Sequence, residues 1–272
     1  MAHALTDKQL LFSGTTAHKG RKISVFPGNS QLKHLHYGRV LLDASLPHVT
    51  FDTAGRETAL LCMRGSCDIE VAGVSYAIHQ YDAIYVPRGC AVAVTTDSHV
   101  DLVECAAEVA GHYPLQLVPF AQVKENPALK FTAGGPSTSR DLNIVIGDNV
   151  NAGRILMGFT KSQPGNWTSW PPHEHGELLE EVYVYFDMPA PAFGIQLVYT
   201  SPETPEFISI VREGDAVLMP AGYHPNVAAP GHGINFIWMM AADREVEDRQ
   251  FGVVNVQPDF AQGGSGLEAS RK

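Results

Sequence analysis

Pro171-Pro172-His173-Glu174-His175-Gly176-Glu177-Leu178-Leu179-Glu180-Glu181 is the stretch on which the reading of this chain turns. Side chains alternate faces along a strand, so His173 and His175 point the same way. A turn then brings a carboxylate back on the paired strand. Farther on, Pro220-Ala221-Gly222-Tyr223-His224-Pro225 supplies a third imidazole. Three neutral imidazoles and one carboxylate suit a divalent transition metal with positions left open for water or substrate. We expect His173, His175, Glu181 and His224 to hold one such ion, with Zn, Mn, Fe and Ni all compatible. Glu180 is the alternative carboxylate. Glu181 shares a face with Tyr183 and Tyr185, Glu180 shares one with Val182, Val184 and Phe186, and either face suits a barrel interior.

Around this stretch, short runs rich in Val, Ile, Leu and Tyr recur between Gly, Pro, Asn and Asp clusters, and helical periodicity is scarce. The fold is therefore expected to be all-β. An internal repeat organises the strands. Gly38-Arg39-Val40-Leu41 resembles Gly153-Arg154-Ile155-Leu156, 115 residues on, and Tyr81-Asp82-Ala83-Ile84-Tyr85-Val86-Pro87 resembles Gly214-Asp215-Ala216-Val217-Leu218-Met219-Pro220, 133 on. Glu57 before TALLCMRG and Glu181 before VYVYFDMP give an intermediate offset of 124. Copies of this length fit two tandem jelly-roll barrels better than small solenoid units. We expect a barrel over residues 1–130, a second over 131–260 and a flexible Gly/Ser-rich tail over 261–272. KENPALKFTAGGPSTSRD marks the junction.

The first copy serves as an internal control. The repeat offsets place Val49 and Phe51 where His173 and His175 stand and Ala91 where His224 stands, leaving only Glu57 opposite Glu181. The N-terminal barrel is thus expected to lack metal ligands. His34-x-His36 has no nearby Glu and no later Gly-Tyr-His-Pro segment, so it reads as ordinary strand histidines.

Composition narrows the function further. The chain has 272 residues, 44% of them apolar, and 19 Lys plus Arg against 29 Asp plus Glu give a formal charge of −10, which disfavours an electrostatic grip on nucleic acid. No run of about 18 apolar residues spans a membrane, and MAHALTDKQLLFSG lacks the basic-then-apolar pattern of a signal peptide. Cys62, Cys67, Cys90 and Cys105 show no CxxC spacing and read as reduced thiols. A cytoplasmic protein is expected, without nucleic-acid or membrane partners.

The HxH, the Glu and the Gly-Asp-x-x-x-x-Pro-x-Gly-x-His segment together resemble the cupin superfamily, which implies two tandem double-stranded β-helix barrels, a bicupin. More specifically, Gly165-Asn166-Trp167-Thr168-Ser169-Trp170-Pro171-Pro172-His173-Glu174-His175, Leu179-Glu180-Glu181-Val182-Tyr183 and Pro220-Ala221-Gly222-Tyr223-His224-Pro225 resemble the bicupin 5-deoxy-glucuronate isomerases of myo-inositol breakdown. The related uronate ketol-isomerases of pectin breakdown also carry a Glu directly before a Val-Tyr strand, which favours Glu181 over Glu180. HEHGELLEE is short where other members carry a longer insertion.

The resemblance implies an aldose-to-ketose isomerisation of a small sugar acid, 5-deoxy-D-glucuronate to 2-deoxy-5-keto-D-gluconate, without redox or nucleotide cofactor. A divalent metal would polarise the carbonyl and stabilise charge building on the sugar oxygens. Tyr183 and Tyr185 are candidates for hydrogen bonding to substrate, and Glu180 is a candidate base. Arg244 and Lys161 are candidate cations for the carboxylate, since Arg binds it bidentately. Trp167 and Trp170 are candidates either to wall the sugar or to close the bottom of the loop, and Asn166 is a candidate to hold the turn before them. Two other classes remain open: a cupin metal-dependent dioxygenase and a non-enzymatic bicupin binding protein. Edge-strand pairing would allow a homo-oligomer.

Overall fold

The computed structural model of the chain describes residues 9–263. The expected tail lies outside the described residues from 264 onward, while 261–263 end a 3-10 turn, Pro258–Gly263. Strands dominate, and the one α-helix among the described residues is Phe120–Glu125. No helix among them is long and apolar enough to cross a membrane.

Each half of the chain pairs a large sheet with a small one. In the first half, the large sheet runs Gln116–Val118, Ala83–Val86, Arg56–Gly65, His99–Glu108, Leu35–Asp43, Gly20–Val25. The small one runs His48–Asp52, Ala91–Thr95, Cys67–Val71, Val74–Ile78. In the second half, the large sheet runs Leu11–Phe12, Ala216–Met219, Leu179–Tyr185, Asn235–Ala242, Ile155–Ser162, Arg140–Ile146, Lys130–Ala133. Its small partner runs Trp167–Thr168, Asn226–Ala228, Gly194–Val198, Phe207–Val211. The N-terminal Leu11–Phe12 strand therefore pairs within the second half's sheet, against Val217 and Ala216.

Two cores follow from strand alternation. Val40, Leu42, Leu60, Cys62 and Leu102 fill the first sandwich together with Ile69, Val71 and Val94 of its small sheet. The opposite face of that large sheet, with Tyr37, Ala59, Leu61, Tyr85 and Cys105, packs in one cluster with Val182, Val184, Leu218, Ile237 and Met239 of the second half. The two large sheets are thus packed back to back. Burial pushes the thiols of Cys62, Cys67 and Cys105 up, so these cysteines serve as apolar filling.

The strand registers correct the repeat alignment. Thr58 pairs with Val86 as Glu181 pairs with Met219, and Glu57 pairs with Ala107 as Glu180 pairs with Ala241. Glu57 is therefore the counterpart of Glu180, and Thr58 stands where the second copy has Glu181. Likewise Gly38, opposite Glu104, matches Gly158, opposite Trp238, rather than Gly153. A Cβ at Gly158 would meet Asn143 O at 2.2 Å and the Trp238 ring at 2.3 Å, and one at Gly38 would meet Lys22 O at 2.9 Å, so close strand approach favours glycine at both positions.

The two matched glutamates clamp the halves together. Glu57, fully buried, accepts hydrogen bonds from the backbone N–H groups of Gly153 (2.7 Å), Arg154 (2.6 Å) and Ile155 (2.9 Å), and from the Tyr85 hydroxyl (2.6 Å). Glu180 accepts from the N–H groups of Lys33 (2.7 Å), His34 (2.8 Å) and Leu35 (2.6 Å). Each carboxylate closes the start of an interior strand of the other half's large sheet, Ile155–Ser162 or Leu35–Asp43, and charged acceptors make these bonds stronger than neutral ones.

Candidate metal centre

The inner face of Leu179–Tyr185 carries Glu181 and Tyr183 into the second barrel. His173 begins a two-residue strand, His173–Glu174, paired with Asn255–Val256, and His224 lies between the Ala216–Met219 and Asn226–Ala228 strands. The donor atoms of His173, His175 and His224 lie within 4.8 Å of one another. Glu181 Oε2 lies 3.1 Å from both His175 Nε2 and His224 Nε2. Ligands about 2.1 Å from one ion sit roughly 3.0–3.4 Å apart, so this spacing is that of neighbouring ligands.

The orphaned atoms at the site fit the same ion. Glu181 Oε1 and His224 Nε2 are buried without a hydrogen-bond partner, and His224 Nε2 has proximity to Glu181 but not hydrogen-bond geometry. Buried polar atoms left unpaired are costly, and a cation would satisfy them. Two ligands are also oriented from behind: His173 Nδ1–H donates to Pro171 O and His224 Nδ1–H to Gly222 O, both at 2.9 Å. That fixes the tautomer and leaves each Nε2 lone pair facing the centre.

The electrostatics agree with a divalent cation. Burial, reinforced by the neighbouring His224 and His175, pulls the His173 pKa down to about 3, keeping it neutral. Burial alone would raise Glu181, but the hydrogen bond from His175 and the adjacent His224 ring outweigh it and hold the carboxyl at about 2. Three imidazoles that could hold a metal ion therefore converge, with the Glu181 carboxylate beside two of them.

A cavity opens beside these ligands. His173, His175, Glu181, Tyr183, Ser169, Thr160 and Arg140 line it, with Leu142, Phe236, Trp238, Met240, Phe251, Val254 and Val256 as apolar walls. Tyr183 stacks on Phe236 and shares a 2.7 Å hydrogen bond with Ser169. Burial raises its pKa well above the usual phenol value, so the hydroxyl keeps its proton.

The other candidates fall elsewhere. Glu180 faces the sheet-to-sheet interface, one residue out of phase with the cavity, and its carboxylate is committed to the clamp. The Tyr185 hydroxyl lies deeper, donating to Gln196 Oε1 at 2.5 Å in the buried core. Arg244 is a surface residue paired with Asp248 and Glu247, because it follows the strand end on the outside of the barrel. Lys161 bonds Tyr81 and Asp187. Trp167 and Trp170 pack against each other at 5.3 Å, and Trp170 packs against Phe260, while the Asn166 amide bonds Ser139 O. Sequence reading missed Arg140, which sits in the segment taken as the junction. Its signal was the alternation of Arg140 with Leu142 on one face of an apolar strand.

Two packed jelly-roll sandwiches, one bearing a buried cluster of three histidines and Glu181 beside a cavity, define a bicupin. Solved structures share the fold. An IolB-like protein from Salmonella typhimurium aligns with a TM-score of 0.81 at 23% identity, covering 93% of this chain and 98% of that one. Oxalate decarboxylase from Lactobacillus farciminis aligns at 0.61 with 12% identity, over 88% and 87%. Within that class the chain belongs to the KduI/IolB family, whose model matches residues 10–256. Among curated relatives, 5-deoxy-glucuronate isomerase of Geobacillus kaustophilus is 28% identical over 70% of this chain and 73% of its own length. The 4-deoxy-L-threo-5-hexosulose-uronate ketol-isomerase of Burkholderia cenocepacia is 30% identical over 71% and 69%.

Proposed function

We propose that the protein is a 5-deoxy-glucuronate isomerase, converting 5-deoxy-D-glucuronate to 2-deoxy-5-keto-D-gluconate at a divalent-metal site held by His173, His175, Glu181 and His224. The observation that carries this reading is the His3Glu cluster with orphaned donor atoms on the wall of a cavity, in a chain whose curated relatives are sugar-acid isomerases.

Aldose-to-ketose conversion needs no external oxidant: one hydrogen moves from C2 to C1, and one hydroxyl proton moves from O2 to O1. A bound divalent ion supplies Lewis acidity toward the carbonyl and its neighbouring hydroxyl. The chain's own residues do the rest. Apolar walls from Phe236, Trp238, Met240 and Phe251 exclude water and strengthen electrostatic contacts inside. Tyr183 holds its proton and presents a hydroxyl donor beside the ligands. The 251–256 segment, paired through Asn255–Val256 to the His173–Glu174 strand, forms part of the cavity wall over the sugar.

The test is metal content by mass spectrometry, with keto-sugar formation assayed on 5-deoxy-glucuronate and, separately, on the hexosulose-uronate of the Burkholderia relative. About one divalent ion per chain and turnover of 5-deoxy-glucuronate, both lost in His173→Ala, is the expected result. Turnover of the hexosulose-uronate alone would reassign the substrate. Metal with no isomerase activity and iron-dependent oxygen uptake would overturn the proposal in favour of a dioxygenase.

A further inference from the structure

Arg140 begins the Arg140–Ile146 strand and pairs with Ser162, so its side chain shares the inward face with Leu142 and reaches the cavity wall beside Tyr183 and Ser169. It is 5% exposed, an uncommon position for a guanidinium. Nη1–H donates to Thr138 O at 3.0 Å and Nη2–H to Trp170 O at 2.8 Å, which fixes the plane of the group. The backbone makes room for it: Gly134, at φ +87°, would with a Cβ crowd Arg140 Nη1 at 2.6 Å and Thr138 O at 2.1 Å.

We infer that Arg140, with the Ser169–Tyr183 hydroxyl pair beside it, is the subsite that binds the substrate's carboxylate and so selects a sugar acid over a neutral sugar. This inference rests on the function proposed above. Burial pulls the Arg140 pKa down to about 10, leaving it charged at neutral pH, and an anion entering the cavity recovers part of the solvation that burial removed. The requirement for a local cation is sharpened by a chain of formal charge −10, whose overall field repels an anionic substrate. Arg suits the task because its fixed fork matches a carboxylate edge to edge. Tyr183 lies between the two ends of the site, touching Ser169 by hydrogen bond and the His224 ring at 5.7 Å. The carboxylate end and the metal end thus line one wall, as a molecule carrying a carboxylate at one terminus and an aldehyde at the other requires.

The experiment compares D-glucuronate with D-glucose by calorimetry on metal-loaded wild type, Arg140→Lys and Arg140→Met, with kcat and KM for the uronate and metal content measured alongside. Wild type is expected to favour glucuronate, and Arg140→Met to lose about 10- to 100-fold of that preference, the worth of a charge-assisted bidentate pair, with one ion per chain retained. The loss should fall mainly in KM. Arg140→Lys keeps the charge but not the fork and should fall between the two. If Arg140→Met fails to fold, Arg140→Lys decides. An unchanged glucuronate-to-glucose ratio in a folded, metal-loaded variant overturns the inference. A wild type that discriminates glucuronate from glucose but isomerises no sugar acid would refute the proposed function while leaving the Arg140 result to stand or fall on its own ratio.

Discussion

Glu180→Ala separates the clamp from the metal centre, because Glu180 and Glu181 are sequence neighbours with opposite facings. The substitution removes the acceptor for three backbone N–H groups, at 2.6–2.8 Å. Bonds to a charged acceptor contribute about 1.5–3 kcal/mol each when broken in isolation. Water can reach the exposed Lys33 and half-buried His34, so the full desolvation penalty applies only at Leu35, which is completely buried. The expected loss is about 3 kcal/mol, which for a chain of this size lowers Tm by roughly 6–12 °C. Glu57→Ala should cost more, about 4–5 kcal/mol, because four donors including the Tyr85 hydroxyl lose a fully buried partner. Thermal denaturation with metal analysis of the same samples is the assay. Glu180→Ala should retain about one ion per chain, whereas Glu181→Ala should lose it with a smaller effect on the inter-barrel contact. An ion lost from Glu180→Ala, or a Tm equal to wild type, would refute the facing assignment and the clamp respectively.

Two further outcomes follow from the same geometry. Chelation of the purified protein should lower Tm and re-addition of the divalent ion restore it; at a hundredfold excess over Kd the linkage contributes about 2.7 kcal/mol, and an unchanged Tm on chelation would mean that the buried His3Glu cluster binds no ion in solution. Tyr185→Phe removes the donor to Gln196 Oε1 in the buried core, which should cost about 1–2 kcal/mol in denaturant titration while leaving metal stoichiometry unchanged.

The strand-and-turn pattern made the β architecture legible, and the imidazole spacing made the cluster legible, because both depend on local alternation. What alternation alone left open was which face of Leu179–Tyr185 is the interior. In most sandwiches one face of a strand meets solvent and its polar residues reveal it, but here every residue of that strand is buried. The outer face, with Glu180, Val182 and Val184, packs on the other barrel, so its composition matches that of an interior. A strand covered on both sides carries no polar stripe from which phase can be read. The same back-to-back packing explains the misaligned repeat. Glu57 is present in the first copy because the interface, not a metal, requires a carboxylate at that position, and matching it to Glu181 conflated two roles that differ by one residue and one face. The matched pair in the fold is Glu57 with Glu180, two carboxylates of one pseudo-symmetric interface, so the first barrel retains the clamp and carries Thr58 at the position of Glu181. Arg140 escaped for a related reason. It opens its strand immediately after a Gly-Pro-Ser-Thr segment whose composition signals a linker, and only the pairing of Arg140 with Ser162 shows that the strand lining the cavity already begins inside that junction. Short polar segments next to a strand therefore identify a boundary in the backbone, while the first inward-facing side chain beyond them belongs to the site.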